Sequence, residues 1–389
     1  MLNKLLKYYN NTIFPWDFLK IQSISKKKIK IGFCSYFPPF PHGVAAATYY
    51  LMKEFAKHPE IDLYLIPLHN KFDKKLFSFM NFKFAKLDTP FLDVIVFFGL
   101  GNNYKKISEK VSCKKIAWQT MHENPITEQI PLIGPTEQEI LNQVKKSDLL
   151  LTMTQWATSC YKKQVNHTAY LPHGVDTTLF TPTLNKNKFT CLFVSRLHYN
   201  KGVLPFFDAI PLVLQKDKSI YFKIISPYDS HSFYNDEIKI KIKALKERYP
   251  LNVFIDLTWM PYTNIPQVYT QAGVLVFPSN NEGFGIPLIE AMSCEVPCIV
   301  LNKKPMSEIV IHKKTGFCLP PSQNKGKYHE LDFPDPTEIA KKILFLKKHP
   351  ELKQSLGKEG RKRVIKNYNI SNIVDQLIQH CSDLVQKSR

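Results

Sequence analysis

Short apolar runs alternate with stretches of helical pattern along this chain, and the series begins twice. In the first series, residues 28–36, 61–68, 93–98, 115–119 and 149–153 read as strands, with helices over 44–58, 135–146 and 155–163. In the second, strands fall at 189–195, 220–226, 253–257, 274–277 and 298–301, with helices at 202–215, 264–269, 285–294, 351–366 and 370–386. Runs that are apolar almost throughout belong to strands covered on both faces. Helices lying between such strands make the sheet mostly parallel. The predicted fold class is α/β, with two doubly wound Rossmann-like domains facing a cleft. Ligands of open sheets bind beyond the carboxyl ends of the strands. The Phe- and Lys-rich stretch 70–89 shows no clear period.

At 389 residues, two domains of ordinary size are the natural division. Leu171-Pro-His-Gly-Val-Asp176, Pro182 and the polar stretch 185–188 read as the hinge. The expected layout is an extension over 1–28, a first domain over 29–174, a hinge over 175–188, a second domain over 189–368 and a last helix over 369–389.

The most informative string is Glu282-Gly-Phe-Gly-Ile-Pro-Leu-Ile-Glu290, directly after the apolar run Val274-Leu-Val-Phe-Pro-Ser279. One carboxylate falls in the loop at a helix mouth and the other about a turn inside that helix. Gly283 and Gly285 allow close approach of the backbone, at the positive end of the helix. That pairing suits a ligand carrying both hydroxyls and phosphate. Ser195-Arg-Leu-His-Tyr-Asn-Lys201-Gly202 lies between a strand and a helix and puts Arg196 and Lys201 at the ligand-facing end of the sheet. A planar fork and a compact point charge together can hold a diphosphate.

These strings resemble the signature of retaining glycosyltransferases with the two-Rossmann GT-B fold, in the family 4 (group 1) class. The resemblance runs over residues 28 to 385 and is strongest in the second half. It implies a last helix crossing back onto the first domain. It also implies that Arg196 and Lys201 neutralise the departing nucleoside diphosphate. Glu282 accepts from hydroxyls of the transferred hexose, Glu290 accepts from the ribose, and the amides of Phe284, Gly285 and Ile286 line sugar and diphosphate. Pro38-Pro-Phe-Pro-His42-Gly43-Val44 is similar to the family's first glycine-rich turn, with His42 in place of the first glycine and Gly43 left to offer its amide. His122 resembles the histidine that faces the transferred sugar and is followed here by Glu123. The loop holding Trp259 and Met260 corresponds to the one that cups the base, with backbone near Met260 reading its edge. Trp259 stands where glycine is commoner, as a stacking surface or as a wall. Ser226-Pro-Tyr228 departs from the usual glycine pair. His173, in the hinge, is expected near the cleft without a chemical role.

The implied activity is hexosyl transfer from a UDP- or GDP-sugar to an acceptor hydroxyl, in cell-surface polysaccharide, lipopolysaccharide or glycolipid synthesis. A non-catalytic nucleotide- or carbohydrate-binding protein of the same fold is the alternative. No Asp-x-Asp occurs, so no metal is expected and no cofactor beyond the donor substrate. A nicotinamide dehydrogenase would need Gly-x-Gly-x-x-Gly after the first strand with an acid about 20 residues on, and neither candidate turn supplies it.

The formal net charge of +20 attracts nucleic acid, anionic lipid or phosphorylated ligands. No zinc-finger, RNA-recognition or helix-turn-helix pattern is present, so nucleic acid is not an expected partner. Residues 1–28 mix Leu5, Leu6, Tyr8, Tyr9, Phe14 and Trp16 with lysines. Such a piece either lies on an anionic membrane surface or packs on its own domain. Eight cysteines without a Cys-x-x-Cys pair, three of them (Cys34, Cys191, Cys298) in or beside strand-like runs, point to buried thiols in a reducing compartment. With no apolar run of 18 residues and no secretory signal pattern, the expected location is cytoplasmic, with the inner face of a membrane as the variant.

Overall fold

The structure, a computed structural model, describes residues 28–35, 43–67, 75, 83–84, 91–99, 109, 111–119, 137–182, 188–226, 236–258, 260, 264–323 and 331–387. The first lobe holds β1 (Ile29–Ser35), α1 (Gly43–Phe55), β2 (Ile61–Pro67), β3 (Lys83–Phe84), β4 (Val94–Phe98), β5 (Lys114–Trp118), α2 (Glu137–Val144), β6 (Leu149–Thr152), α3 (Gln155–Lys162) and β7 (Thr168–Tyr170). Its sheet has the order β3-β2-β1-β4-β5-β6-β7, all parallel.

The second lobe holds β8 (Thr190–Val194), a 3-10 turn (Tyr199–Lys201), α4 (Val203–Leu214), β9 (Tyr221–Ile225), α5 (Asp236–Arg248), β10 (Val253–Asp256) and α6 (Ile265–Thr270). It continues with β11 (Val274–Phe277), α7 (Ile286–Ser293), β12 (Cys298–Leu301), α8 (Met306–Ile309), β13 (Gly316–Leu319), α9 (Pro336–Lys348), α10 (Pro350–Asn367) and α11 (Ile370–Gln386). Its sheet has the order β10-β9-β8-β11-β12-β13, again all parallel. In each sheet the first strand sits centrally, with the second strand on one side and the strand that follows the reversal on the other. That reversal leaves a crevice above the carboxyl ends of β1 and β4, and another above β8 and β11.

Burial explains the apolar runs. All four residues of β11 and of β12 are buried, because helices lie on both faces of the sheet. One apolar core runs through both lobes and includes Phe33, Trp118, Leu192, Leu275, Phe284 and Tyr368. A second is confined to the far face of the second sheet, around the stacked rings of Phe193 and Phe206, 5.3 Å apart. A third fills the outer face of the first sheet, with Cys34, Ile95, Leu150 and Tyr161.

The chain passes between the lobes twice, and the two passages are tied together. The Val175 amide donates to the Tyr368 carbonyl at 2.8 Å, and the Ile370 amide to the Val175 carbonyl at 3.1 Å. The approach is so close that a Cβ on Gly174 would lie 2.6 Å from Ile370 Cα, which leaves glycine as the residue that fits. Asn369 caps α11 through the Ser371 amide, and α11 then packs on α1 of the first lobe. The Ser371 hydroxyl donates to the Glu54 carboxylate there. The last helix thus crosses back onto the first lobe, as the resemblance implied.

Three strands were not expected from the sequence: β3, β7 and β13 have two, three and four residues. Runs that short carry too few residues to show a period. The described cysteines are free thiols, and Cys34, Cys191 and Cys298 are buried.

Candidate functional site

β8 and β11 are neighbours in the second sheet, so the chain that leaves each of them shares one end of the fold. After β8 come Ser195, Arg196 and the 3-10 turn that ends in Lys201. Gly202 follows in the left-handed region, at φ 68°, and a Cβ there would sit 2.4 Å from the Pro278 carbonyl oxygen. That glycine therefore lets the turn press against the chain leaving β11.

Hydrogen bonds complete the junction. The Asn280 amide donates to the Asn200 carbonyl at 2.9 Å. The Ser279 hydroxyl lies 3.3 Å from the Asn200 carbonyl and 3.2 Å from that of Asn281. The Asn280 side chain donates to the Asp332 carbonyl at 2.7 Å. Lys201 Nζ donates to Glu282 Oε1 at 2.8 Å and to the Asn281 carbonyl at 3.1 Å.

Lys201 is only 5% exposed. Burial pushes its ammonium below the usual value, the Glu282 carboxylate opposes that, and the nearby Arg196 charge adds to the depression. His198, whose Nδ1 lies 2.7 Å from Asn200 Oδ1, is pushed down by burial and by the same two cations. The turn after β8 thus concentrates positive charge at the crevice, balanced in part by Glu282.

From Glu282 the chain runs through Gly283 and Phe284 to Gly285, left-handed at φ 107°, which caps α7. Pro287 lies in the first turn, where its missing N–H costs nothing. Gly285 has no side chain with which to cap α7 and no acid stands in the first turn, so the positive end of the helix faces the crevice. Glu290 lies within α7 and is 8% exposed. Burial pushes its carboxyl up to about 7, and the neighbouring Tyr269 hydroxyl works against that.

The packing between the lobes beside the crevice is aromatic. His173 is 4% exposed, and its ring centroid lies 5.3 Å from Phe98, 6.1 Å from Trp118 and 5.5 Å from Phe284. Burial pushes its pKa down to about 3, so the imidazole is neutral. Phe284 also meets Tyr368 edge-on at 5.7 Å. His173 is therefore a packing bridge between the lobes, beside the cleft. At the strand ends of the first lobe, Ser35 Oγ lies 2.9 Å from Thr48 Oγ1, and Gln119 Nε2 donates to the Tyr161 hydroxyl at 2.6 Å.

Arg196, Lys201, Glu282, Gly283, Phe284, Gly285, Ile286 and Glu290 are thus brought to one crevice by two adjacent strands. Gly43 opens α1 in the first lobe. Met260 is half-buried against the shared core. His122 and Trp259 lie outside the described residues, as do 36–42, Glu123 and Tyr228. Tyr269 and the Asn281 carbonyl were not anticipated. Tyr269 is far from Glu290 in sequence, and only the fold brings its ring beside α7. Among the described residues no group of three His, Cys, Asp or Glu side chains is placed to hold a metal ion.

Comparison with known proteins fits this arrangement. Residues 176–363 match the family of glycosyl transferases group 1. The capsular polysaccharide biosynthesis glycosyltransferase CapM of Staphylococcus aureus is 26% identical over 194 residues, covering 50% of this chain and 46% of that protein. The O-antigen chain mannosyltransferase B of Escherichia coli is 26% identical over 192 residues, covering 45% and 48%. The matches thus span about half the length of these curated relatives. The structure of Anabaena HepE in complex with UDP-glucose superimposes with a TM-score of 0.71 at 16% identity, over 91% of this chain and 100% of that one. The fold is GT-B, and the stretch that matches the group 1 glycosyl transferases is the second lobe of the chain.

Proposed function

We propose that the chain is a metal-independent, retaining glycosyltransferase that moves a hexosyl unit from a nucleotide-diphosphate sugar to an acceptor hydroxyl. The carrying observation is the buried Lys201, held 2.8 Å from Glu282 beside Arg196 at the glycine-capped mouth of α7. Burial strengthens each charge interaction there relative to water. A diphosphate seated in the crevice meets Arg196, Lys201 and the α7 amides, while Glu282 and Glu290 accept from hydroxyls at its two ends.

The bond from the anomeric carbon to the diphosphate oxygen breaks, and positive charge develops at that carbon. Arg196 and Lys201 stabilise the negative charge gathering on the leaving oxygens. The acceptor oxygen bonds to the carbon from the same face, and its proton passes to a leaving phosphate oxygen. No covalent intermediate on the protein is required. Glu290 accepts from the ribose, and its buried carboxyl favours a neutral hydrogen-bonding partner.

HepE was captured with UDP-glucose, and the names of CapM and the O-antigen enzyme concern surface glycans. Those names support a nucleotide-sugar donor and a cell-surface or lipid-linked acceptor. The net charge of +20 suits work beside an anionic membrane surface, and the location we propose is cytoplasmic. Among the described residues no helix is long and apolar enough to cross a membrane.

The test is incubation with a panel of UDP-, GDP- and ADP-sugars, with release of nucleotide and transfer both followed. At least one donor is consumed, and Lys201→Ala and Glu290→Ala lose that activity. Consumption of none, or full activity in both variants, refutes the reading.

A further inference from the structure

Glu308 stands on α8 in the second lobe, yet its carboxylate caps a helix of the first. Its Oε1 accepts from the Gln155 amide at 2.6 Å and its Oε2 from the Trp156 amide at 3.1 Å. These are the first two amides of α3, a helix with no acid of its own in the first turn. Thr154 takes the third, with its hydroxyl accepting from the Ala157 amide at 3.0 Å, and the Thr154 carbonyl takes the Thr158 amide at 2.9 Å. Three of the amides that a helix start leaves open, those of Gln155, Trp156 and Ala157, are thus satisfied, two of them from across the lobe boundary. An anionic acceptor at a helix start gains from both the charge-assisted bonds and the helix dipole.

Glu308 is itself held in place. Arg363 donates to the Glu308 carbonyl and to the Ile309 carbonyl, each at 2.9 Å, and to the Tyr368 hydroxyl at 3.2 Å. The Tyr368 ring packs on Phe284, beside Glu282 in the crevice loop. The same cluster that seats the inter-lobe cap therefore also supports the loop carrying the proposed sugar contact.

We infer that Glu308 sets the angle at which the two lobes meet, and that it is a positioning residue for transfer. In its kinetic part this inference rests on the proposed function; in its geometric part it does not. The nucleotide side of the crevice is built within the second lobe, so nucleotide affinity does not depend on this contact. Transfer needs an acceptor brought by the first lobe, so it does.

The test uses the full chain with Cys113→Ser and Cys160→Ser, and nitroxide labels at Lys145→Cys and Leu251→Cys, one on each lobe. Distance distributions are compared with Glu308 intact, as Glu308→Ala and as Glu308→Gln. The alanine variant broadens or shifts the distribution, and the glutamine variant, which keeps one acceptor oxygen, falls between. Affinity for the nucleoside diphosphate stays within about twofold, while transfer turnover drops by roughly tenfold to 100-fold, the scale of a misplacement of about 1 Å. Superimposable distributions in all three proteins overturn the inference. So does a loss of nucleotide affinity that keeps step with the loss of transfer, because Glu308 would then be supporting the second lobe alone. A wild-type chain that consumes no donor defeats the functional reading, while the distance measurement still decides the role of Glu308.

Discussion

In the first lobe the central strand β1 ends at Ser35, whose hydroxyl is engaged by Thr48 and the Phe98 carbonyl. In the second lobe the central strand β8 is followed by Ser195 and then at once by Arg196, Lys201 and Gly202. Both positions are switch points of the same strand plan, and the plan alone supplies a crevice at each. Chemistry enters through the side chains grafted there. The second crevice is closed on itself by contacts between the turns after β8 and β11, so its charges are placed before any ligand arrives. On the first-lobe side, the described residues Phe98, Trp118 and the neutral His173 are buried in the packing between the lobes. Among the described residues, the second switch point thus gathers cations at a helix mouth, while the first is filled by uncharged, buried side chains.

The sharpest way to break this contrast is Lys201→Ala. In the proposed mechanism it removes a cation from the transition state, and it leaves Glu282 without its buried partner. Turnover falls by on the order of 100-fold to 1,000-fold, as for loss of an oxyanion donor. A steady-state assay with the best donor checks it, and a loss under tenfold would mean that Arg196 alone carries the leaving group.

A smaller effect separates Glu290 from His173, two groups that burial shifts in opposite senses. Glu290 has its folded value raised to about 7 from 4.5. The folded state therefore binds more protons than the unfolded one across that window, and this group's contribution to stability declines as pH rises through it. His173, pushed down from 6.5 to about 3, acts in the opposite sense. Its contribution is complete above pH 6.5 and is lost as pH falls towards about 3. Between pH 4.5 and 6.5 the two slopes oppose each other. Glu290→Gln removes the first slope, with an upper scale of on the order of 3 kcal/mol. Thermal melts of the variant rise with pH through that interval more steeply than those of the wild type. Parallel curves would show that Glu290 is ionised and solvated in the free protein.

The smallest effect is Ser35→Ala. The hydroxyl is fully buried and bonded within its own lobe. Its loss costs about 1 kcal/mol of stability and leaves nucleotide affinity unchanged by titration. A matching loss of affinity would place the first switch point in the nucleotide site and erase the distinction between the lobes.

Much of the second crevice was legible in the sequence because its parts are local. The string from Glu282 to Glu290 contains the loop, the left-handed Gly285 and the helix mouth in nine consecutive residues, and the structure places α7 from Ile286 to Ser293. Arg196 and Lys201 were legible because they directly follow a strand. What escaped was contact between distant segments. The Lys201–Glu282 pair spans 81 residues, and the Glu308 cap spans 152 and 153. No periodicity or turn signal encodes such meetings. His173 was expected near the cleft, but its place among three rings needed the two lobes brought together. The short strands β3, β7 and β13 were missed because sheet pairing defines them rather than their own pattern.

The most direct test of the account is calorimetric titration of UDP, GDP and ADP into the wild-type chain and into Lys201→Ala. The account predicts that one nucleoside diphosphate binds the wild type without added divalent metal. In the variant its affinity falls by roughly tenfold to 100-fold, the scale of one charge-assisted contact. Binding of none of the three, or equal affinity in both proteins, would contradict a preorganised diphosphate site in the second lobe.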